Sequence, residues 1–298
     1  MTSPPERPDD TPGIAPPAFR LPDATRVGGV RLQVSDLRRS IEYYEQVIGL
    51  HVRSAADGTA ALGPHGGERT LVTLETRSGV TRARRGAFGL YHFAILLPDR
   101  ASLGRFAAHA SALGLHLGMA DHLVSEALYL QDPDGLGIEV YADRPRGAWQ
   151  RRGRELVMTT DPLDVSGLVE VGGGEAWAGC PSGTTMGHVH LHVGGLEAAE
   201  AFYHRALGLD KTVWSYPGAL FLAAGGYHHH LGTNVWAPGP APSADHAQLL
   251  EWELLVASER DVEAVRRSLR DAGYPAEDSE AGVAASDPWG TRLRLRAA

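Results

Sequence analysis

The chain of 298 residues contains a single cysteine, Cys180. One thiol excludes an internal disulfide framework and any thiolate-rich metal site, and it fits a reducing cytoplasm. No stretch approaches the ~20 consecutive apolar residues of a membrane span. The opening residues, Met1-Thr-Ser-Pro-Pro-Glu-Arg-Pro-Asp-Asp, carry no apolar core of a signal peptide. A cytoplasmic location is therefore expected. Cations are outnumbered: 28 Lys and Arg stand against 36 Asp and Glu, a formal charge of −8. That balance speaks against nucleic acid or an anionic membrane as the main partner and favours solubility. With 43% hydrophobic and 21% charged residues, the composition is that of a soluble globular protein of one large domain or two ordinary ones. Residues 1–25, rich in proline and acid, read as a mobile N-terminal arm.

What is present is a set of ionisable residues in apolar strands. His92 lies in Gly-Leu-Tyr-His-Phe-Ala-Ile-Leu-Leu (89–97), and Glu139 lies in Gly-Ile-Glu-Val-Tyr (137–141), beyond the turn Asp132-Pro133-Asp134-Gly135. An ionisable group in the middle of a buried strand costs on the order of several kcal/mol unless it is paired or bound to a metal. His188, in Gly-His-Val-His-Leu-His-Val, completes the raw material of a two-histidine, one-carboxylate metal site. A lone strand histidine is most often a satisfied core residue. Glu139 is harder to place in that way, because buried glutamates are rare without a partner. His190 and His192 share the face of His188 by strand alternation, and either pocket lining or packing would account for them.

The sequence is also a duplication. Val34-Ser-Asp-Leu-Arg-Arg-Ser-Ile-Glu-Tyr-Tyr-Glu-Gln-Val-Ile-Gly-Leu50 recurs without a gap as Val193-Gly-Gly-Leu-Glu-Ala-Ala-Glu-Ala-Phe-Tyr-His-Arg-Ala-Leu-Gly-Leu209. Asp132-Pro133-Asp134-Gly135 recurs as Asp287-Pro288-Trp289-Gly290. Each half divides again into a strand, an amphipathic helix and several short strands. Leu37, Ile41, Tyr44 and Ile48 mark the first helix, with Asp36 as its cap, and Asp99 is placed to cap a second helix near 100–113. Four such modules are expected, at 26–80, 87–142, 185–236 and 247–298. The span 143–184 is a long polar, Gly-rich connection, and 237–246 is a short stiff one.

This plan resembles the vicinal oxygen chelate superfamily, which includes glyoxalase, bleomycin-resistance proteins and extradiol ring-cleaving dioxygenases. The resemblance implies an α+β fold of four βαβββ modules that pair edge to edge into two cups, with one divalent metal held per active cup. It also implies that ligands come from the first and last strands of a module. Aligning the halves sets His188 against Gly29, His92 against Glu251 and Glu139 against Arg294. Ligand chemistry is thus kept in modules 2 and 3. His92, Glu139 and His188 can share a metal if modules 2 and 3 form the active cup, leaving 1 and 4 as a cup without metal.

The stretch His122-Leu-Val-Ser-Glu-Ala-Leu-Tyr129-Leu-Gln-Asp132-Pro133-Asp134-Gly135-Leu-Gly-Ile-Glu139 is similar to the extradiol dioxygenase motif, departing from it at Ala120. That similarity implies that His122 and Tyr129 hydrogen-bond substrate or intermediates. It also implies a proton-moving histidine from the last strand of module 3, where His228, His229 and His230 lie in a row. Alternation puts His228 and His230 on one face, and the reading favours His228 as the acid/base. The implied activity is cleavage of a catechol-type diol by O2 next to the diol, on Fe(II) with Mn(II) as an acceptable substitute. Catechol would give 2-hydroxymuconic semialdehyde. A glyoxalase-like isomerase or thiol transferase is the first alternative, and a non-enzymatic drug-binding protein is the second. Self-association into a homo-oligomer through exposed cup edges is a further expectation.

Overall fold

The computed structural model describes residues 12–279 and 282–298. Each of four units runs strand, helix, three strands. The first holds β1 (Arg26–Gln33), α1 (Leu37–Tyr43), β2 (His51–Ala56), β3 (Thr59–Gly63) and β4 (Val72–Glu75). The second holds β5 (Gly89–Leu96), α2 (Arg100–Ala112), β6 (Gly118–Asp121), β7 (Ser125–Gln131) and β8 (Gly137–Asp143). A connection follows, with the short ribbon β9 (Arg151–Arg152) and β10 (Glu155–Leu156) and helix α3 (Val165–Val171). The third unit holds β11 (Thr185–His192), α4 (Leu196–Ala199), β12 (Asp210–Val213), β13 (Ala219–Ala223) and β14 (Leu231–Asn234). The fourth holds β15 (Gln248–Val256), α5 (Glu259–Asp271), β16 (Glu277–Ser279), β17 (Gly282–Ser286) and β18 (Arg292–Ala297). Among the described residues no helix is long and apolar enough to cross a membrane.

The units pair as the duplication suggested. One eight-stranded sheet has the order β12-β13-β14-β11-β5-β8-β7-β6, joining units 2 and 3, and the other has the order β16-β17-β18-β15-β1-β4-β3-β2, joining units 1 and 4. The joins are antiparallel, β5 with β11 and β1 with β15. A continuous core spans both sheets, with Trp252, Tyr44, Tyr203, Phe93 and Phe106 fully buried.

Local chemistry explains the elements. Asp36 and Asp99 cap their helices by accepting from the backbone N–H of Arg39 and Ser102. Helices α1 and α4 each continue into a π-helical turn, Tyr44–Ile48 and Glu200–Ala206. In both halves the chain then reverses through a glycine of positive φ, Gly49 at 84° and Gly208 at 97°. A side chain at either position would be strained there.

The repeated Asp-Pro-x-Gly turn is a structural device. Asp132 Oδ1 accepts from the N–H groups of Asp134 and Leu136 at 2.9 and 2.8 Å, and Asp287 Oδ1 accepts from Trp289 and Thr291 at 3.0 and 2.8 Å. Their second oxygens accept from Tyr44 at 3.3 Å and Tyr203 at 2.9 Å. Each pair ties the helix of one unit to the turn of the next, and so one sheet to the other.

The arm expected over residues 1–25 needs correction. Residues 1–11 lie outside the described residues. From residue 12 onward the chain is anchored: Ile14 bridges to Lys211, Arg20 donates to Asp210 at 2.8 and 2.7 Å, and Leu21 is buried. The proline-rich composition hid a few apolar and charged anchors that outweigh the ordering cost.

Candidate active site

The active geometry is set by register across the sheet of units 2 and 3. Glu139 on β8 faces Tyr129 on β7 and Ala94 on β5, and Ala94 in turn faces His188 on β11. His92, two residues from Ala94 and on the same face, is opposite His190. Ala94 brings only a methyl group, so the carboxylate of Glu139 and the ring of His188 meet above it. Glu139 Oε2 lies 3.0 Å from Nε2 of both His92 and His188. One ligand atom from each of the three residues falls within 4.8 Å of the others, the one such group among the described residues.

This trio fits a divalent cation on its own chemistry. All three residues are nearly inaccessible, at 5%, 2% and 1% exposure for His92, Glu139 and His188. Nε2 of His92 is buried and, although Glu139 Oε2 lies 3.0 Å away, is not aligned for a hydrogen bond to it, and a buried polar atom left in that way is costly. Burial lowers both imidazole pKa values, against the pull of Glu139, which favours the neutral form a ligating histidine needs. Burial opposes the Glu139 charge, but His188 and His92 outweigh it and hold the carboxyl well below its ordinary range. Two neutral nitrogens and one carboxylate suit Fe(II) and Mn(II) alike.

In the sheet of units 1 and 4 the corresponding positions do other work. Arg294 pairs with Glu251, and Arg292 Nε adds a contact to the same carboxylate at 3.1 Å. An arginine thus satisfies Glu251 where unit 2 has a histidine and an acid together.

A cavity of about 360 Å³ opens over His92 and Glu139 of the trio, lined also by His122, Tyr129, His190 and His229, among others. His122 donates from Nδ1 to the Thr159 carbonyl at 2.6 Å, so its Nε2 accepts from the Tyr129 hydroxyl, also at 2.6 Å. Burial, with the charge of Glu139 second, pushes the Tyr129 pKa well above its usual value and keeps the phenol protonated. Thr159 belongs to the connection of residues 143–184, and its neighbours Met158 and Thr160 line the cavity. Thr160 also meets the Tyr216 hydroxyl at 2.8 Å. The connection therefore forms one wall of the site.

The triple histidine required a correction. His229, not His228 or His230, lines the cavity, with its ring 4.0 Å from that of His188. His228 is fully buried behind it. His230 is a packing residue whose Nδ1 accepts from the Ala224 N–H at 3.2 Å, and burial lowers its pKa to about 3. Alternation did separate His229 from its neighbours. The three residues precede β14 in an irregular turn, however, and with polar residues on both sides the pattern could not tell which side met the cavity.

Behind His229 runs a hydrogen-bonded chain. His229 Nδ1 lies 2.7 Å from His228 Nδ1, and His228 Nε2 lies 2.9 Å from Asp143 Oδ1. The Tyr227 hydroxyl donates to the same carboxylate at 3.1 Å and meets the Tyr141 hydroxyl at 2.7 Å. Asp143 can only accept, so His228 presents Nε2–H to it. With His228 as the single-proton imidazole, its Nδ1 accepts from His229 Nδ1–H, and His229 Nε2 is left with a lone pair. Sequence reasoning missed Asp143, Tyr141 and Tyr227. Trp236 lines the cavity, Trp252 lies in the core, and Trp214 packs half-buried against that core.

Comparison with known proteins agrees with this architecture. A family model described as Glyoxalase/Bleomycin resistance protein/Dioxygenase superfamily matches residues 26–140 and 185–294. A Bacillus subtilis protein named catechol-2,3-dioxygenase is 44% identical over 269 residues, covering 89% of this chain and 94% of that one. Among solved structures, a Bacillus subtilis chain provisionally described as a dioxygenase superposes with a TM-score of 0.67 at 12% identity, over 94% of this chain and 86% of that one. Glyoxalase I from Zea mays gives 0.54 at 20% identity, over 91% and 92%. Those two likenesses speak to the fold. The chain belongs to the Glyoxalase/Bleomycin resistance protein/Dioxygenase superfamily.

Proposed function

We propose that this chain is an extradiol ring-cleaving dioxygenase of the catechol 2,3-dioxygenase type. It takes a catechol-type diol and O2 and opens the ring beside the diol, so that catechol gives 2-hydroxymuconic semialdehyde with both oxygen atoms of O2 in the product. The observation that carries this reading is the clustering of His92, Glu139 and His188 beside a cavity that His92 and Glu139 line together with His122, Tyr129 and His229. The 44% identical relative named catechol-2,3-dioxygenase supports it.

In this reading His92, Glu139 and His188 hold Fe(II), with Mn(II) acceptable on ligand type. When bound there, the cation would supply the charge that favours loss of a phenolic proton and open positions for diol and O2. His229 Nε2, its lone pair turned out by the His228–Asp143 chain, receives that proton and later returns it. Tyr129, its own proton committed to His122, offers oxygen lone pairs to the diol and fixes its orientation. A glyoxalase-like isomerase is the weaker reading. It would be expected to keep a fourth protein ligand, and β14, the last strand of unit 3, reads Leu-Gly-Thr-Asn and brings no carboxylate.

The test is anaerobic reconstitution with Fe(II), followed by catechol and air while absorbance is followed in the near-visible. A yellow ring-fission product is expected. Glu139→Ala should retain no stoichiometric metal and form no product. A wild-type protein that binds iron tightly yet opens no catechol, substituted or plain, would overturn the reading.

A further inference from the structure

We propose that the cavity selects uncharged diols bearing an apolar substituent, alkyl or aryl, and turns away carboxylated catechols. This inference rests on the ring-cleavage reading of the same site.

The charge inventory comes first. Among the described residues lining the cavity there is no arginine or lysine, and the one acid is Glu139 of the trio. A carboxylate on the ring would leave water for a wall without a cation to meet it, which is costly. The nearby arginines are committed elsewhere. Arg144 bonds Asp121 at 2.5 Å, and Arg100 bonds Glu126 at 2.5 Å. Arg146 lies over the rings of Trp149 and Tyr227 at 5.5 and 5.4 Å. The overall charge of −8 does not help an anion approach.

The mouth supplies the second observation. Large hydrophobic side chains are seldom left exposed side by side without a binding role. Here Met119 is 46% exposed, Trp236 46% and Tyr91 41%, and all three line this one cavity. Trp236 is held in place: its backbone N–H donates to Asn234 Oδ1 at 3.1 Å and its indole N–H to the Pro217 carbonyl at 3.2 Å. Its ring packs with those of Tyr91 and Tyr216, centroids 5.8 and 6.4 Å away. Phe221 continues that aromatic wall beside Tyr216, at 5.6 Å. Met119 enters from the edge strand β6.

The third observation is room. A neighbouring groove of about 480 Å³ shares Tyr91, His92, Gly118 and Tyr129 with the cavity and adds Leu115, Leu130 and Ile138 beside Tyr43, His116 and Gln131, again with no arginine or lysine. A substituent longer than the ring can therefore run out along a mixed path, over Leu115, Leu130 and Ile138, without leaving the diol's anchorage.

The experiment compares 3,4-dihydroxybenzoate with its methyl ester on the iron-loaded enzyme. The two share the diol and differ chiefly in the charge of the substituent. The ester is expected to exceed the acid in kcat/KM by at least 100-fold, and 4-ethylcatechol to show a KM at least fivefold below that of catechol. Met119→Arg and Trp236→Arg, made separately and checked for iron content, should each narrow the ester-to-acid ratio by tenfold or more. An acid cleaved as well as its ester overturns the inference, as does a ratio unchanged in both variants. Should no diol be turned over, the ring-cleavage reading fails. The same ranking, read by equilibrium binding of acid, ester and ethylcatechol to the metal-loaded protein, then decides the inference.

Discussion

Gly187 offers the sharpest test of how the site is held together. It precedes His188 in β11, and a methyl group built on it would fall 1.8 Å from the Tyr141 hydroxyl oxygen, 2.6 Å from Cζ and 2.8 Å from Cε1. Ordinary carbon–oxygen contact needs more than 3 Å, so Gly187→Ala must displace the Tyr141 ring or the strand that carries His188. Tyr141 is fully buried and has little free space to move into. Overpacking of this kind costs about 1–3 kcal/mol. Loss of the buried Tyr141–Tyr227 hydrogen bond adds about 1–2 kcal/mol if either hydroxyl is stranded. A destabilisation of about 2–5 kcal/mol is expected, read by urea denaturation of the metal-free protein. The Tyr141 ring sits 5.0 Å from that of His188, so Fe(II) affinity should also fall, by about 10-fold or more, as when a group supporting a ligand is disturbed. The double variant with Tyr141→Phe removes the shortest contact but leaves the one to Cζ, and should recover part of the stability. Wild-type stability in Gly187→Ala alone would refute the close approach and the coupling drawn from it.

Other outcomes follow from the same geometry. His229→Ala should keep its iron and lose about 100-fold or more in kcat, the usual scale for a general base. His230→Ala should instead lower the melting temperature while kcat stays within a few fold, and the opposite pattern would return the proton-moving role to His230. Asp132 gives a pH prediction. Burial raises its pKa from 3.8 to about 6, so between those values the native state holds more protons than the unfolded chain, and stability falls as pH rises. At 1.36 kcal/mol per unit the effect is about 3 kcal/mol at most. In urea denaturation, the stability of wild type relative to Asp132→Asn should decline by about 2–3 kcal/mol from pH 4 to 7, and a flat difference would remove this carboxyl from the pH dependence.

Much of this protein could be read without coordinates. The repeat, the four strand–helix–strand units and the caps Asp36 and Asp99 come from periodicity and local hydrogen bonding, which act over a few residues. The pairing of units 2 with 3 was legible only with the family resemblance, which implies paired cups with ligands from first and last strands; His92, Glu139 and His188 then fall in units 2 and 3, and the other two units carry Arg294 and Glu251 instead. The wall made by residues 143–184 was not legible. Its glycine-rich, polar sequence has no period, and it is ordered by long-range contacts such as Thr159 with His122 and Thr160 with Tyr216. The anchoring of residues 12–25 by Asp210 and Lys211 was hidden for the same reason.

His229 marks the boundary between the two kinds of knowledge. The sequence by itself put three adjacent histidines at the last strand of unit 3, with the middle one facing away from its neighbours; the structure moves them into the turn just before that strand. Which side meets the cavity was decided by tertiary structure: Asp143 and Tyr227 close over His228, His230 turns to the Ala224 backbone, and the remaining direction belongs to His229. The physical reason is that side-chain alternation is a local property of the chain. Inside and outside are properties of what the chain packs against.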